Sequence, residues 1–377
     1  MKSSVKTGRL ATRLPRPNRD IATLTPFQQG KGDLGGHESP IKLSANESHH
    51  GPSPLAIEAY RNSAGALFRY PDGAQSELRR AIAETFSLKE DNIICGNGSD
   101  ELHQLLIRCH VRRRDEVVFS RYSFAMAMVH ATAQGARVLI ADEPLLQPDA
   151  DSILSKVTER TRMVVIASPN NPVGRYMPRE ELWRLYRHLP SQVVLLIDSA
   201  YADYVVADDY DAGASLVDAG PNAVMTRTFS KLYGLAGLRI GWAYAPANII
   251  ESIQRIRTPF NASADAMAAA SAAVRDVAYA SMVRDYNQRE LVRIQRAIES
   301  CPGIEFVPSF ANFYLVRFTD GIHAAAGAAA ALEHNGIIPR PVGAGGPQES
   351  LRITVGLTHE NDSVLRVLCE YMSSSTQ

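Results

Sequence analysis

Cysteine is scarce in this chain: four thiols stand among 377 residues, at positions 95, 109, 301 and 369, with no Cys-x-x-Cys pair. That scatter, in a chain of this length, argues against a disulfide scaffold and for reduced, buried thiols. An excess of either charge is also missing, because 40 Lys and Arg balance 40 Asp and Glu. No global field therefore draws nucleic acid or an anionic membrane, and a small molecule is the expected partner. Apolar runs fall short of the roughly 20 residues that a membrane-crossing helix needs. The amino terminus lacks a secretory h-region, and neither the Walker pattern nor G-x-G-x-x-G occurs, so a nucleotide is not favoured. A cytoplasmic enzyme is the expectation. MKSSVKTGRLATRLPRPNRD is basic and acid-free until Asp20, as organellar transit segments are, but its prolines suit a mobile arm better.

What is present is ordinary globular usage, 45% hydrophobic and 21% charged. The length suits one large domain with a smaller one. EVVF, RVLI, RMVVIA, VVLLI and AVMTR read as strands, and their unbroken apolar character predicts cover on both faces. PREELWRLYRHL between them reads as a helix, with Pro178 in its first turn and Leu182, Leu185, Tyr186 and Leu189 at helical spacing. This βαβα order predicts an α/β fold with a mainly parallel sheet covered by helices. After Asn261 the chain turns alanine-rich and then gives the strands FYLVRF and LRITVG, a smaller α/β unit. The expected divisions are an arm at 1–40, a large domain at 41–261 and a small domain at 262–377.

Parallel α/β sheets bind ligands beyond the carboxyl ends of their strands. RMVVIA runs into SPNNPVG, VVLLI into DSAYADY, and AVMTR into TFSK. Taken singly these have plain readings: SPNNPVG a turn, Asp198 a helix cap, Tyr201 a rim aromatic, Lys231 a surface lysine. Their shared edge favours a site. DNIICGNGSDELHQLLIRC adds a strand, a glycine turn and a helix start, where N–H groups at Ser99 to Glu101 form an anion site or simply a capped helix. Ser230 and Arg239 supply a hydroxyl and a charged fork for the same phosphate. His49 and His50 look like metal ligands only superficially, since adjacent side chains diverge and no third ligand is evident; they are expected to line a pocket or loop, with no metal.

Together the segments resemble the fold-type I pyridoxal phosphate aminotransferases, and within them the histidinol-phosphate aminotransferase family. The resemblance runs from KLSANESHHGPSP through RYPDGAQSELRRAIA, GNGSDE, SPNNPVG, DSAYADY and TFSKLYGLAGLRIGW to GIIPRPVGAGGPQESLRITVG. It implies that the cofactor is pyridoxal 5'-phosphate, held covalently by Lys231, with Asp198 at the pyridine nitrogen and Asn171 and Tyr201 at the ring oxygen. Tyr122 would stack on the ring, and Ser99, Asp100, Ser230 and Arg239 would hold the phosphate. Tyr70 would reach the neighbouring subunit's cofactor in a homodimer. Arg352, with Arg340 and Asn46, would bind the substrate, although a loop salt bridge is an equal reading of Arg340 from its residue type alone.

Chemistry accords with these roles. A carboxylate beside the pyridine nitrogen keeps it protonated, so that the ring accepts electrons when the Cα proton departs. A lysine amine can carry that proton. Paired arginines suit the anions of glutamate and of a phosphate monoester. The implied reaction is that of histidine biosynthesis, histidinol phosphate and 2-oxoglutarate giving imidazole acetol phosphate and glutamate. Two departures stand beside the substrate. The family commonly has Asn-Pro followed by an aromatic or leucine where this chain has Ser48, His49 and His50, and Gly-Tyr-Gly where it has GAGG at 343–346. They leave open an aromatic or specialised-metabolism amino acid as donor and, more distantly, a threonine-phosphate-type decarboxylase. A non-catalytic pyridoxal-binding regulator would need a fused DNA-binding segment, for which the first forty residues are too short and proline-broken.

Overall fold

Among the described residues thirteen strands are interspersed with helices: β1 (Ile41–Lys42), β2 (Ile93–Gly96), β3 (Glu116–Ser120), β4 (Arg137–Ala141), β5 (Thr161–Ala167), β6 (Val194–Asp198), β7 (Ala223–Thr228), β8 (Gly241–Tyr244), β9 (Ile304–Val307), β10 (Phe313–Phe318), β11 (Ile337–Ile338), β12 (Arg340–Pro341) and β13 (Ser350–Thr354). The computed structural model describes residues 16–26, 30–36, 39–343 and 346–374. The beginning of the expected arm and the middle of GAGG lie outside the described residues.

The larger sheet has the order β2-β8-β7-β6-β5-β3-β4. β4, β3, β5, β6 and β7 run parallel, and β8 is antiparallel to both its neighbours. The apolar runs are continuous because this sheet is buried twice. Alternate side chains of one strand enter different cores: Leu195 and Ile197 pack with Leu182 and Leu185, whereas Val194 and Leu196 pack with Leu102 and Leu106. Arg227 in β7 is largely buried, paired with Asp203 and 4.1 Å over the Phe86 ring. A charge enclosed this way needs its partner.

The smaller sheet, β12-β13-β10-β9, is antiparallel throughout. Its core gathers Tyr314, Val316, Leu351 and Ile353 with Ile294, Leu332 and Leu368.

Three expectations change on contact with the structure. Pro178 is the N-cap, with extended ψ of 150°, and the helix begins at Arg179; the ring precedes the first turn instead of entering it. The boundary at residue 261 does not coincide with a break between cores. Leu43 belongs to the smaller core and β1 pairs with β11, whereas Ala266, Ala269, Ala270 and Val274 pack in the larger one. The alanine-rich helix Ala264–Arg275 presents a flat, small-residue face that fits the large domain closely, which composition alone does not reveal. Of the four thiols, Cys95 and Cys301 are buried, but Cys109 and Cys369 are only half-buried.

The described part of the arm touches the body, Asp20 pairing with Arg113 and Lys31 with Glu333. Among the described residues, no helix is long and apolar enough to cross a membrane.

Candidate functional site

The carboxyl ends of β5, β6 and β7 open on one cavity of about 750 Å³, lined by Asn46, Ser99, Asp100, Tyr122, Asn171, Asp198, Tyr201, Ser230, Lys231, Arg239, Arg340 and Arg352 among others. Strand register explains the convergence: Ala167, Asp198 and Thr226 are successive partners across three parallel strands. Of the residues that the sequence nominated, only Tyr70 is elsewhere. It is 82% exposed and stacks on Phe260 at 4.7 Å.

One end of the cavity is built for an anion. The helix Ser99–His110 begins there with its positive dipole end, after Gly98 at φ +80°. A Cβ on Gly98 would sit 2.5 Å from Arg239 Nη2, and one on Gly241 would sit 2.4 Å from the Ser99 nitrogen. Both positions are bare because guanidinium and backbone must approach. Arg239 itself takes the left-handed conformation, φ 51°, and donates to Ser230 Oγ at 3.2 Å and to the Ala236 carbonyl at 3.1 Å. Asp100 contributes through its backbone N–H, since its carboxylate faces His130 Nε2 at 3.3 Å.

At the floor lies Asp198. Burial pushes its carboxyl upward against the field of nearby His103 and the hydrogen bond from the Ala200 N–H, 3.2 Å away. An enclosed carboxylate so placed fits a cationic N–H partner. Lys231, enclosed as well, is brought down to about 8 by burial and then by Arg352. Its Nζ donates to the Ala45 carbonyl at 3.1 Å. Near pH 8 such a lysine exchanges protons readily.

Tyr201 remains a phenol, because burial raises its pKa. Its oxygen accepts from Asn46 Nδ2 at 2.9 Å and from Asn171 Nδ2 at 3.3 Å. With two donors on the oxygen, its own O–H is left to donate to an acceptor in the cavity. Asn46 is fixed in a left-handed conformation, φ 56°, by Thr354, whose Oγ accepts from the Asn46 N–H at 3.0 Å.

The opposite end carries the paired arginines. Arg340 and Arg352 are direct cross-strand partners, so both project from one face. Arg352 Nη1 donates to Asn171 Oδ1 at 2.7 Å and Nη2 to the Ser44 carbonyl at 2.5 Å, while its buried Nε has no partner among the described residues. Burial lowers this guanidinium to about 10, with the positive field of Arg340 acting the same way after the phenol of Tyr201 opposes it. Two cations with an orphaned donor suit an anionic ligand.

His49 and His50 diverge. His49 Nδ1 lies 2.7 Å from Glu360 Oε2, and His50 packs edge-on against Tyr286. They line a small cleft beside the cavity.

Several participants escaped the sequence reading. Thr354 was within reach of it, two residues beyond Arg352 and hence on the same strand face. Ala45 acts through its carbonyl, which no side-chain pattern reveals. Arg121, Phe124 and Lys42 also line the cavity, and Glu143 lies behind it.

The family model described as aminotransferase class I and II matches residues 38–369. The histidinol-phosphate aminotransferase of Paramagnetospirillum magneticum is 42% identical over 96% of this chain and 99% of its own. That of Rhodopseudomonas palustris is 42% identical over 95% of this chain and 99% of its own. Among solved structures, the histidinol-phosphate aminotransferase of Sinorhizobium meliloti in complex with pyridoxal-5'-phosphate has a TM-score of 0.89 at 29% identity, covering 96% of this chain and 98% of that one.

The anion end is testable by itself. Gly98→Ala and Arg239→Ala should each weaken binding of inorganic phosphate, measured by isothermal titration calorimetry, by about 10- to 100-fold, the loss of a hydrogen bond to a charged group at roughly 1.5–3 kcal/mol. Unchanged affinity in both variants would remove this end as the anion site.

Proposed function

The chain belongs to the class I and II aminotransferases, and on that premise we propose that it moves an amino group from histidinol phosphate to 2-oxoglutarate, with pyridoxal phosphate as its cofactor. The products are imidazole acetol phosphate and glutamate, a reaction of histidine biosynthesis, which we place in the cytoplasm. The observation that carries the reading is one cavity in which a buried lysine and a buried carboxylate lie between two separate anion grips.

The residues fit the cofactor. Ser99, Asp100 through its N–H, Ser230 and Arg239 would hold its phosphate, Asp198 its ring nitrogen, Asn171 and Tyr201 its ring oxygen, and Lys231 its aldehyde carbon, with Tyr122 against the ring. When bound, pyridoxal phosphate supplies an aldehyde that takes up amines and a ring that draws electrons away from Cα. Asp198 keeps the ring nitrogen protonated by charge, and the cation in turn relieves the carboxylate of its unfavourable burial. Lys231 Nζ takes up the proton that leaves Cα and holds it as an ammonium beside the Ala45 carbonyl. Tyr201 would donate its O–H, burial favouring the neutral phenol. Arg352 would grip the anion that every donor presents, and Arg340 would add a second hold on a phosphate or a second carboxylate.

A second copy of the chain is the proposed partner. Leu67, Phe68 and Tyr70 are 69%, 78% and 82% exposed, a cluster that a neighbouring subunit would cover. Sedimentation velocity of the full chain should give twice 41.2 kDa, and Tyr70→Ala should release pyridoxal phosphate faster on dialysis. A monomer that retains the cofactor normally would contradict the assembly.

Donor specificity tests the function. Histidinol phosphate and glutamate should convert the cofactor's absorbance at far lower concentration than phenylalanine does. Arg352→Ala should impair every donor, whereas Arg340→Ala should penalise the two dianionic donors more than phenylalanine, by roughly 1.5–3 kcal/mol in kcat/KM. A preference for phenylalanine, or equal losses on removing Arg340, would contradict it.

A further inference from the structure

Behind the cavity lies an acid that the chemistry above does not use. Glu143 follows β4 and is 6% exposed. Its two oxygens face donors from two different strand ends. Oε1 accepts from the Tyr122 N–H at 2.9 Å, just past β3, and Oε2 accepts from Asn170 Nδ2 at 2.5 Å, just past β5. Asn170 cannot reverse its amide without loss, because its Oδ1 accepts from the Arg175 N–H at 2.8 Å and its Nδ2 also donates to the Leu146 carbonyl at 3.1 Å. The two turns meet a second time where the Asn171 N–H donates to the Tyr122 carbonyl at 3.2 Å.

From there the contacts run into the site. Asn171 accepts from Arg352 Nη1 and donates to the Tyr201 oxygen, and the Tyr122 ring lines the cavity. One buried carboxylate thus spans the two turns that carry a ring, an amide and, through the amide, a guanidinium.

We propose that Glu143 is a positioning residue for the reaction: its ionised carboxylate clamps the Tyr122 turn to the Asn170-Asn171 turn and so sets where Tyr122, Asn171 and Arg352 meet cofactor and substrate. The clamp rests on the functional reading given above, since it acts on that same site.

An ionised carboxylate accepts strongly on both oxygens, whereas protonation turns one of them into a hydroxyl, a weaker acceptor. Protonation therefore weakens one arm. Burial pushes this carboxyl up to about 7, against the hydrogen bonds from Tyr122, Asn170 and Ser120 and the attraction of Arg121. The surrounding groups are few. From the β3 turn come Arg121, the Tyr122 phenol and the hydroxyls of Ser120 and Ser123; from the β4 end comes Asp142, paired with Arg121 at the surface; from the β5 turn comes Arg175, engaged with Gln147. Arg317 and Lys156 act at one remove, on Tyr122 and Asp142. The sign follows from the raised value: the clamp is closed above about pH 7 and opens as pH falls through it.

Pyridoxine 5'-phosphate is the probe, because it carries no aldehyde and reads non-covalent placement alone. Its affinity for the cofactor-free protein should be about 10-fold weaker in Glu143→Gln than in the parent protein at pH 8, and the difference should shrink to within twofold at pH 6. Comparing the two proteins at each pH cancels the titration of the probe's own phosphate. The parent kcat/KM for the amino donor should show an acid limb near pH 7 that Glu143→Gln flattens. Hydrogen exchange of the Tyr122 amide in the parent protein, corrected for intrinsic rate, should lose protection over the same range, which keeps the test intact if the variant fails to fold. Equal affinities at pH 8, or Tyr122 protection that does not change between pH 6 and 8, would overturn the clamp. If histidinol phosphate proved not to be a donor while the affinity difference persisted, the substrate reading would fall and the clamp would stand.

Discussion

Enclosed charges that the chain balances only in part are the constraint on which this site depends. Lys231, Asp198 and Arg352 are buried in one cavity, and the lysine is pushed down, the carboxyl up and Arg352 down. Each shift records a charge that protein groups leave incompletely matched. A ligand with a cationic ring, an anionic head at one end and an anionic substrate at the other satisfies all of them together. The fold's task is to keep these groups from collapsing onto one another before that ligand arrives.

It does so with rigid strand ends. Asp198 is the last residue of a fully buried strand, and Ser230 and Lys231 follow the end of the next. Arg352 lies in the fully buried β13 of the smaller sheet and reaches back to Asn171 and Ser44. Side chains mounted on such elements are positioned more accurately than side chains on loops. Segment 43–47 joins the two sheets: Leu43 packs in the smaller core, Ala45 holds the lysine and Asn46 holds Tyr201.

Much of this was legible because parallel sheets write their sites at strand ends. RMVVIA, VVLLI and AVMTR are short, apolar and each followed at once by polar residues, so the common rim could be read without coordinates. The anion turn was legible less from its glycines, which a plain capped helix also allows, than from Ser230 and Arg239 standing ready for the same phosphate. The hidden part was long-range. Leu43 pairs with a core built some 250 to 320 residues later, and nothing in KLSAN announces it. The helix Ala264–Arg275 looked like the start of a new unit because its composition changes, yet its small side chains are what let it lie flat on the large domain. Glu143 sits in ADEPLL, an unremarkable loop sequence; its importance comes from two donors that the fold delivers from elsewhere.

The central claim is that the buried amine of Lys231 is the one that takes the cofactor aldehyde. Borohydride reduction of the pyridoxal phosphate-loaded protein, followed by proteolysis and mass spectrometry, measures this directly. The account predicts a single pyridoxyl-bearing peptide with the label on Lys231, and none in Lys231→Ala. A label on any other lysine, or undiminished labelling of Lys231→Ala, would contradict it.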